Sequence, residues 1–148
     1  MAKKLGIHAK QPCAVVASTI DRAPRAANFP KECSRPEFRA DRMDIGGPWD
    51  WSMLSSKHLQ DFLEKLFEAQ KLSWQNLREN GSHPVNVNNI IPKAQKRLQK
   101  IGQDDLGQLY SFHLTGQLRV WGIKDNNIFW LLWWDPQHSI CPSPKRHT

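Results

Sequence analysis

Cysteine is scarce in this chain, and what there is stands apart: Cys13, Cys33 and Cys141 are the three in 148 residues. None has a second cysteine at metal-ligand or framework spacing, so a disulfide scaffold and a paired-cysteine zinc site are both excluded. Reduced thiols in a cytoplasmic protein are the expectation. Long apolar runs are missing as well. No stretch reaches the ~18 residues that a transmembrane helix requires, and the basic start Met1-Ala2-Lys3-Lys4-Leu5-Gly6-Ile7-His8 has no long apolar run of the signal-peptide kind. There is no glycine-rich phosphate loop and no Gly-x-Ser-x-Gly nucleophile turn, which sets aside the enzyme classes built on them.

What is present is positive charge and tryptophan. The formal charge is +7, with a pI near 9.6, a balance that favours an anionic partner. It is unevenly placed. Residues 1–42 hold nine Lys/Arg against four Asp/Glu, net +5, and the remainder only +2. The first part also lacks sustained periodicity and contains Pro12, Pro24, Pro30 and Pro36. Such a composition cannot bury enough apolar surface to offset the entropy of ordering. Residues 1–40 therefore read as a flexible basic arm, with a short strand at most at 13–17, and 41–148 as a single domain.

Within that domain Leu59, Phe62, Leu63, Leu66 and Phe67 recur at helical spacing, behind Ser55 as an N-cap. Ser73 caps a short second helix that ends near Asn80-Gly81. A third helix is expected over 90–101, capped by Asn89, stopped by Gly102 and burying Ala94, Leu98 and Ile101. The period then changes. Segments 109–114, 118–123 and 128–134 are β-branched and aromatic, separated by Thr115-Gly116 and by Lys124-Asp125-Asn126-Asn127. Short connections predict an antiparallel meander. The fold class expected is α+β, with N-terminal helices packed on a small antiparallel sheet that ends in a C-terminal β-meander. Alternation places Arg119, Trp121 and Ile123 on one face; if Ile123 closes against Ile128, Trp130, Leu132 and Trp134 join them. One face is to pack on the helices and the other to stay open to solvent or ligand.

Several residues in the meander have chemistry to offer. Arg119 is a lone charge in an apolar strand, suited to a bidentate grip on phosphate or to snorkelling past the sheet edge. Trp134-Asp135-Pro136-Gln137-His138 ends the last strand, where His138 can move protons near neutral pH and Asp135 can orient it. Seven tryptophans stand in the chain, four of them between Trp121 and Trp134. Trp121, Trp130 and Trp134 offer faces for base stacking, or else are core. His113, Lys124, Lys145, Arg146 and His147 complete the expected RNA or phosphate contacts. A metal site from Asp135, His138, Cys141 and His147 matches no standard ligand spacing, so no metal or other cofactor is expected.

The stretch from Phe112 to His138, with Leu114-Thr115-Gly116, Arg119-Val120, an acidic turn at Asp125, the apolar run 128–134 and then His138, resembles the C-terminal half of RelE/ParE-type toxins. The resemblance covers roughly 111–141. It implies a RelE/ParE-like fold and, from the ribonuclease branch, metal-independent cleavage of RNA, including ribosome-bound messenger RNA, by its ribose 2′-hydroxyl. Arg119 would hold the phosphate, His138 would act as acid or base, and an antitoxin protein would be the partner. Where that family often carries a Tyr after the His, this chain reads Ser139-Ile140-Cys141-Pro142-Ser143. A non-catalytic binding module, using its Trp-rich face on a protein or nucleic acid, is the other reading.

Overall fold

A computed structural model describes residues 34–142. The expected strand at 13–17, Cys13, Cys33 and the cationic tail Lys145, Arg146 and His147 lie outside the described residues. Among the described residues no helix is long and apolar enough to cross a membrane.

The local signals form where side-chain chemistry is local. The Ser55 hydroxyl accepts from His58 N at 3.2 Å and opens α1, Ser56–Ala69. Ser73 and Asn76 cap each other reciprocally at the start of α2, Trp74–Glu79. The third helix, α3, spans Pro92–Lys100, two residues shorter at its start than expected. Its N-cap is Ile91, with no side-chain hydrogen bond, while Asn89 ends a preceding 3-10 turn. Proline at the first position and Gly102 at φ +73 mark its limits.

The sheet corrects the expected fold class. It is a mixed sheet of five strands in the order β1-β5-β4-β3-β2. The meander is there, as β3 (Gln108–His113), β4 (Arg119–Asp125) and β5 (Ile128–Asp135). Two further strands flank it. β2, His83–Asn86, pairs antiparallel with β3, and β1, Glu37–Arg39, pairs in parallel with β5. Among the described residues one strand thus precedes the helices and another lies between α2 and α3. Of the range assigned to a basic arm, the part that falls among the described residues contains β1, whose Phe38 ring packs at 5.7 Å from Phe112 and 5.8 Å from Phe129.

Helices also cover both faces, so neither is left open. On one face α3 inserts Ala94 and Leu98 among Leu109, Trp121, Ile123, Trp133 and Ile140. On the other, Phe62 and Ala69 of α1 and Trp74 and Leu77 of α2 meet Tyr110, Phe112, Val120, Phe129 and Trp134. Each buried large side chain contributes ~1.5–3 kcal/mol of burial free energy. The α1 stripe divides: Phe62 is buried, whereas Leu59, Leu63 and Phe67 are 44%, 37% and 57% exposed.

Register explains which tryptophan faces where. The β4–β5 turn is the two-residue Asn126-Asn127, with Asn126 at φ +54, so Asp125 opposes Ile128 and Ile123 opposes Trp130. Between Trp121 and Gly122 the pairing slips by one residue of β5, so that Trp121 opposes Trp133. This bulge transfers the alternation. Trp133 and Asp135, rather than Trp134, share the face of Arg119 and Trp121.

Candidate active site

At one end of the sheet, the register lines up polar groups on the α3 face. His83 opposes Ser111, and in the next rung His113 opposes Arg119, which opposes Asp135. His138 follows β5 by a short loop. Its imidazole lies within electrostatic reach of Arg119, Asp135, His83 and His113. The pairing thus aligns His83, His113 and Arg119 along one edge, and the charges there act on His138. Arg119 is half-buried and its Nη1 donates to the carbonyls of Gly116 at 2.7 Å and Leu118 at 3.0 Å, which fixes the side chain in place.

Two of the imidazoles have an assigned tautomer. His113 Nδ1 lies 2.8 Å from the Asn80 carbonyl, and His83 Nδ1 lies 3.0 Å from the Gly81 carbonyl. A carbonyl only accepts, so Nδ1 carries the hydrogen in both rings and Nε2 is the nitrogen left without a backbone partner. Gly81, at φ +101, brings the loop close enough that a Cβ there would sit 3.2 Å from His113 Nδ1. Ser111 Oγ, buried in the neighbouring rung, has no hydrogen-bond partner among the described residues.

His138 differs from the other two. Its backbone is left-handed, φ +55, an unfavourable region for a residue with a Cβ. Burial lowers its pKa below the ordinary imidazole value of 6.5, and the Arg119 charge adds to this while Asp135 opposes it. Burial and the Arg119 charge both favour the neutral ring. Burial likewise lowers the Arg119 pKa, against the pull of Asp135, but a guanidinium keeps its charge at neutral pH.

Asp135, expected to orient His138, does so through the loop backbone. It is fully buried, and its Oδ2 accepts from Trp121 Nε1 and Ile140 N, both at 3.1 Å. Its Oδ1 accepts from Ser139 N at 2.9 Å and Ser139 Oγ at 3.0 Å. These bonds bracket His138 and enforce its strained backbone. Asp135 is a positioning residue.

The remaining expected contacts do not join the cluster. Trp121 is fully buried with its N–H on Asp135, and Trp134 is 2% exposed on the opposite face, so neither offers a ring face to a base. Trp130 lies at the far end of β5, beneath the guanidinium of Arg42 at 4.5 Å and near that of Arg39 at 5.9 Å. Lys124, also at the far end, stands 4.8 Å from the Trp74 ring. Cys141 is a free thiol whose sulfur lies 3.5 Å from the Asn89 carbonyl. Among the described residues no three His, Cys, Asp or Glu side chains are grouped so as to hold a metal ion. His83 was missed by the sequence reading. It sits in a four-residue strand interrupted by Pro84, and only the β2–β3 pairing brings it beside His113.

Searches of curated proteins and of solved structures return no match for the chain. A family model matches residues 52–148, a span that contains His83, His113, Arg119, Asp135 and His138, and on that match the chain belongs to the family described as Uncharacterised protein UU032.

Proposed function

We propose that this protein is an RNA endonuclease whose chemistry is done by imidazoles and a guanidinium, without a metal ion. The observation that carries the reading is the gathering of His83, His113, Arg119 and His138 at one sheet edge, with Nε2 of two rings directed to proton exchange by backbone carbonyls. In this reading Arg119 holds the scissile phosphate. Neutral His138 takes the proton of the ribose 2′-hydroxyl as its oxygen attacks phosphorus. The P–O5′ bond breaks, and His113, as the general acid, gives an Nε2 hydrogen to the departing 5′-oxygen, which leaves a 2′,3′-cyclic phosphate and a 5′-hydroxyl. His83 adds a second proton-bearing group beside His113. The likeness of 111–141 to RelE/ParE-type toxins supports the same chemistry, and ribosome-bound messenger RNA is the substrate it suggests. The antitoxin-type partner it implies would have the exposed stripe Leu59, Leu63 and Phe67 to cover. A binding module acting through a Trp-rich face has less support, because Trp121, Trp133 and Trp134 are buried.

The test is cleavage of an RNA oligonucleotide beside a copy with a single 2′-deoxy substitution at the cut. The deoxy copy should resist. Arg119→Ala should cost about 2–4 kcal/mol of transition-state stabilisation, and His113→Ala or His138→Ala about 10²–10⁴-fold in rate. A chelator should change nothing. Cleavage of the deoxy copy, or folded variants of full activity, would sink the proposal.

A further inference from the structure

The loop that carries His138 has a second side. Against Pro136, Gln137 and Ser139 opens a cleft of about 530 Å³, walled by Trp49, Trp134, Ile91 and Met53, with His58 and Lys93 at its margin. That volume is within the range of small-ligand sites, about 300–1,000 Å³. It lies along the outer edge of β5, where the strand β1 no longer runs. There segment 44–51 takes its place: Trp134 N donates to the Trp49 carbonyl and Trp51 Nε1 to the Leu132 carbonyl.

Most polar atoms of the cleft are already committed. Asp50 accepts from Gly46 N and Ser52 N, Ser55 caps α1, and the Ser139 hydroxyl accepts from Trp49 Nε1 and donates to Asp135. Three groups are not. The Gln137 amide makes no hydrogen bond among the described residues, the Lys93 ammonium has only the Trp49 ring, 5.9 Å away, and the His58 imidazole only the Trp134 ring, 5.7 Å between centroids. Met53, 72% exposed, supplies a pliant apolar rim. Apolar walls, a free amide, an imidazole and a cation form a set that suits a planar heterocycle with a hydrogen-bonding edge and an attached anion. An amide can bond such an edge through two atoms at once.

We infer that this cleft receives the base of the RNA nucleotide adjoining the scissile phosphate, with Gln137 reading its edge and Lys93 neutralising the neighbouring phosphate. The inference rests on the ribonuclease reading, and continuity supports it: Gln137 and His138 are consecutive, one facing the cleft and the other the Arg119 cluster. The Asp135 carboxylate that sets His138 sets Gln137 in the same loop. Base selection and bond cleavage would then be aligned by a single buried group.

Two measurements separate the two proposals. Binding of the four nucleoside 5′-monophosphates is followed by calorimetry, with the indole N–H resonance of Trp49 as the local reporter. One base should bind best. Gln137→Ala, an exposed position whose loss should not disturb folding, should reduce that preference about tenfold or more, and Lys93→Ala should weaken all four. His113→Ala should slow cleavage about 10²–10⁴-fold and leave mononucleotide affinity within about twofold. On an RNA pool, the wild type should cut next to the same base that binds best, and Gln137→Ala should flatten the choice. Equal binding of all four bases, no shift of Trp49, or a cleavage preference untouched by Gln137→Ala would each overturn the base-reading role while leaving the ribonuclease reading intact. Selective binding at the cleft without any RNA cleavage would overturn the ribonuclease reading, and with it this inference.

Discussion

Replacing Asp135 by alanine should be the most destabilising single change near the site, and the size follows from its bonds. Four hydrogen bonds end on this one carboxylate. Two of their donors, Trp121 Nε1 and Ile140 N, are buried, so water cannot replace the lost acceptor. An orphaned buried donor costs ~1–3 kcal/mol. The two Ser139 donors are partly exposed and rehydrate at smaller cost. Arg119 also loses the negative charge that offsets its desolvation. The total is about 3–5 kcal/mol, in line with breaking one side of a buried ionic site. For a chain of this size that lowers Tm on the order of 10–20 °C. Thermal unfolding followed by circular dichroism reads it directly. Asp135→Asn, which keeps one acceptor oxygen, should fall between. If Asp135→Ala melts within a few degrees of wild type yet loses cleavage, the carboxylate acts in the chemistry and the positioning role is wrong. Should it keep both stability and activity, the loop is held by something else.

Asp44→Ala should cost about 3–5 kcal/mol, because it strands Arg97, bound at 2.6 and 2.7 Å, together with Trp133 Nε1 at 2.8 Å; denaturant unfolding measures it. Gly122→Ala should lose about 1–3 kcal/mol or more, since its Cβ would collide with the Trp130 carbonyl and the Phe129 ring. His138→Gly should unfold no more easily than wild type, and up to about 1 kcal/mol less easily through relief at φ +55, while cleavage falls as for His138→Ala. The lowered His138 pKa fixes the sign of the pH dependence. Above 6.5 the ring is neutral in both folded and unfolded chains, and as pH falls the unfolded chain protonates first, so stability declines until the folded pKa is passed. Cleavage should hold below pH 6.5 before its acid limb begins, and that limb should vanish in His138→Ala.

How much of this was legible in the sequence varied with the range of the interaction. Ser55 and Ser73 announce α1 and α2 because a hydroxyl and an amide three residues on make the cap by themselves. Ala94 and Leu98 are likewise a local stripe, and the three meander strands show in their β-branched and aromatic runs. β1 and β2 do not show. Glu37-Phe38-Arg39 alternates over only three residues, and His83-Pro84-Val85-Asn86 carries a proline that argues against a strand unless it lies at a sheet edge. Their strand character comes from partners far along the chain, Ile128–Trp130 and Gln108–Ser111. The apolar stripe of α1 was readable but its orientation was not, since periodicity cannot say that Phe62 meets the sheet while Phe67 meets solvent.

The site itself turned on one slipped residue. Had β4 and β5 paired in register throughout, Trp134 would share the face of Arg119, and Asp135 would point with Phe112 and Phe129 towards α1. The bulge opposite Gly122 reverses this, sending Asp135 to the α3 face beneath Trp121. Only there can its two oxygens collect the N–H groups of Ser139 and Ile140 and force His138 into a left-handed turn. In Trp-Asp-Pro-Gln-His the acid and the imidazole look like a pair that shares a proton. The bulge makes the acid a structural clamp and leaves the imidazole to Arg119 and the two histidines of β2 and β3. A strained histidine held by a buried carboxylate, with no core of its own to stabilise, is the part of this fold that packing alone does not account for.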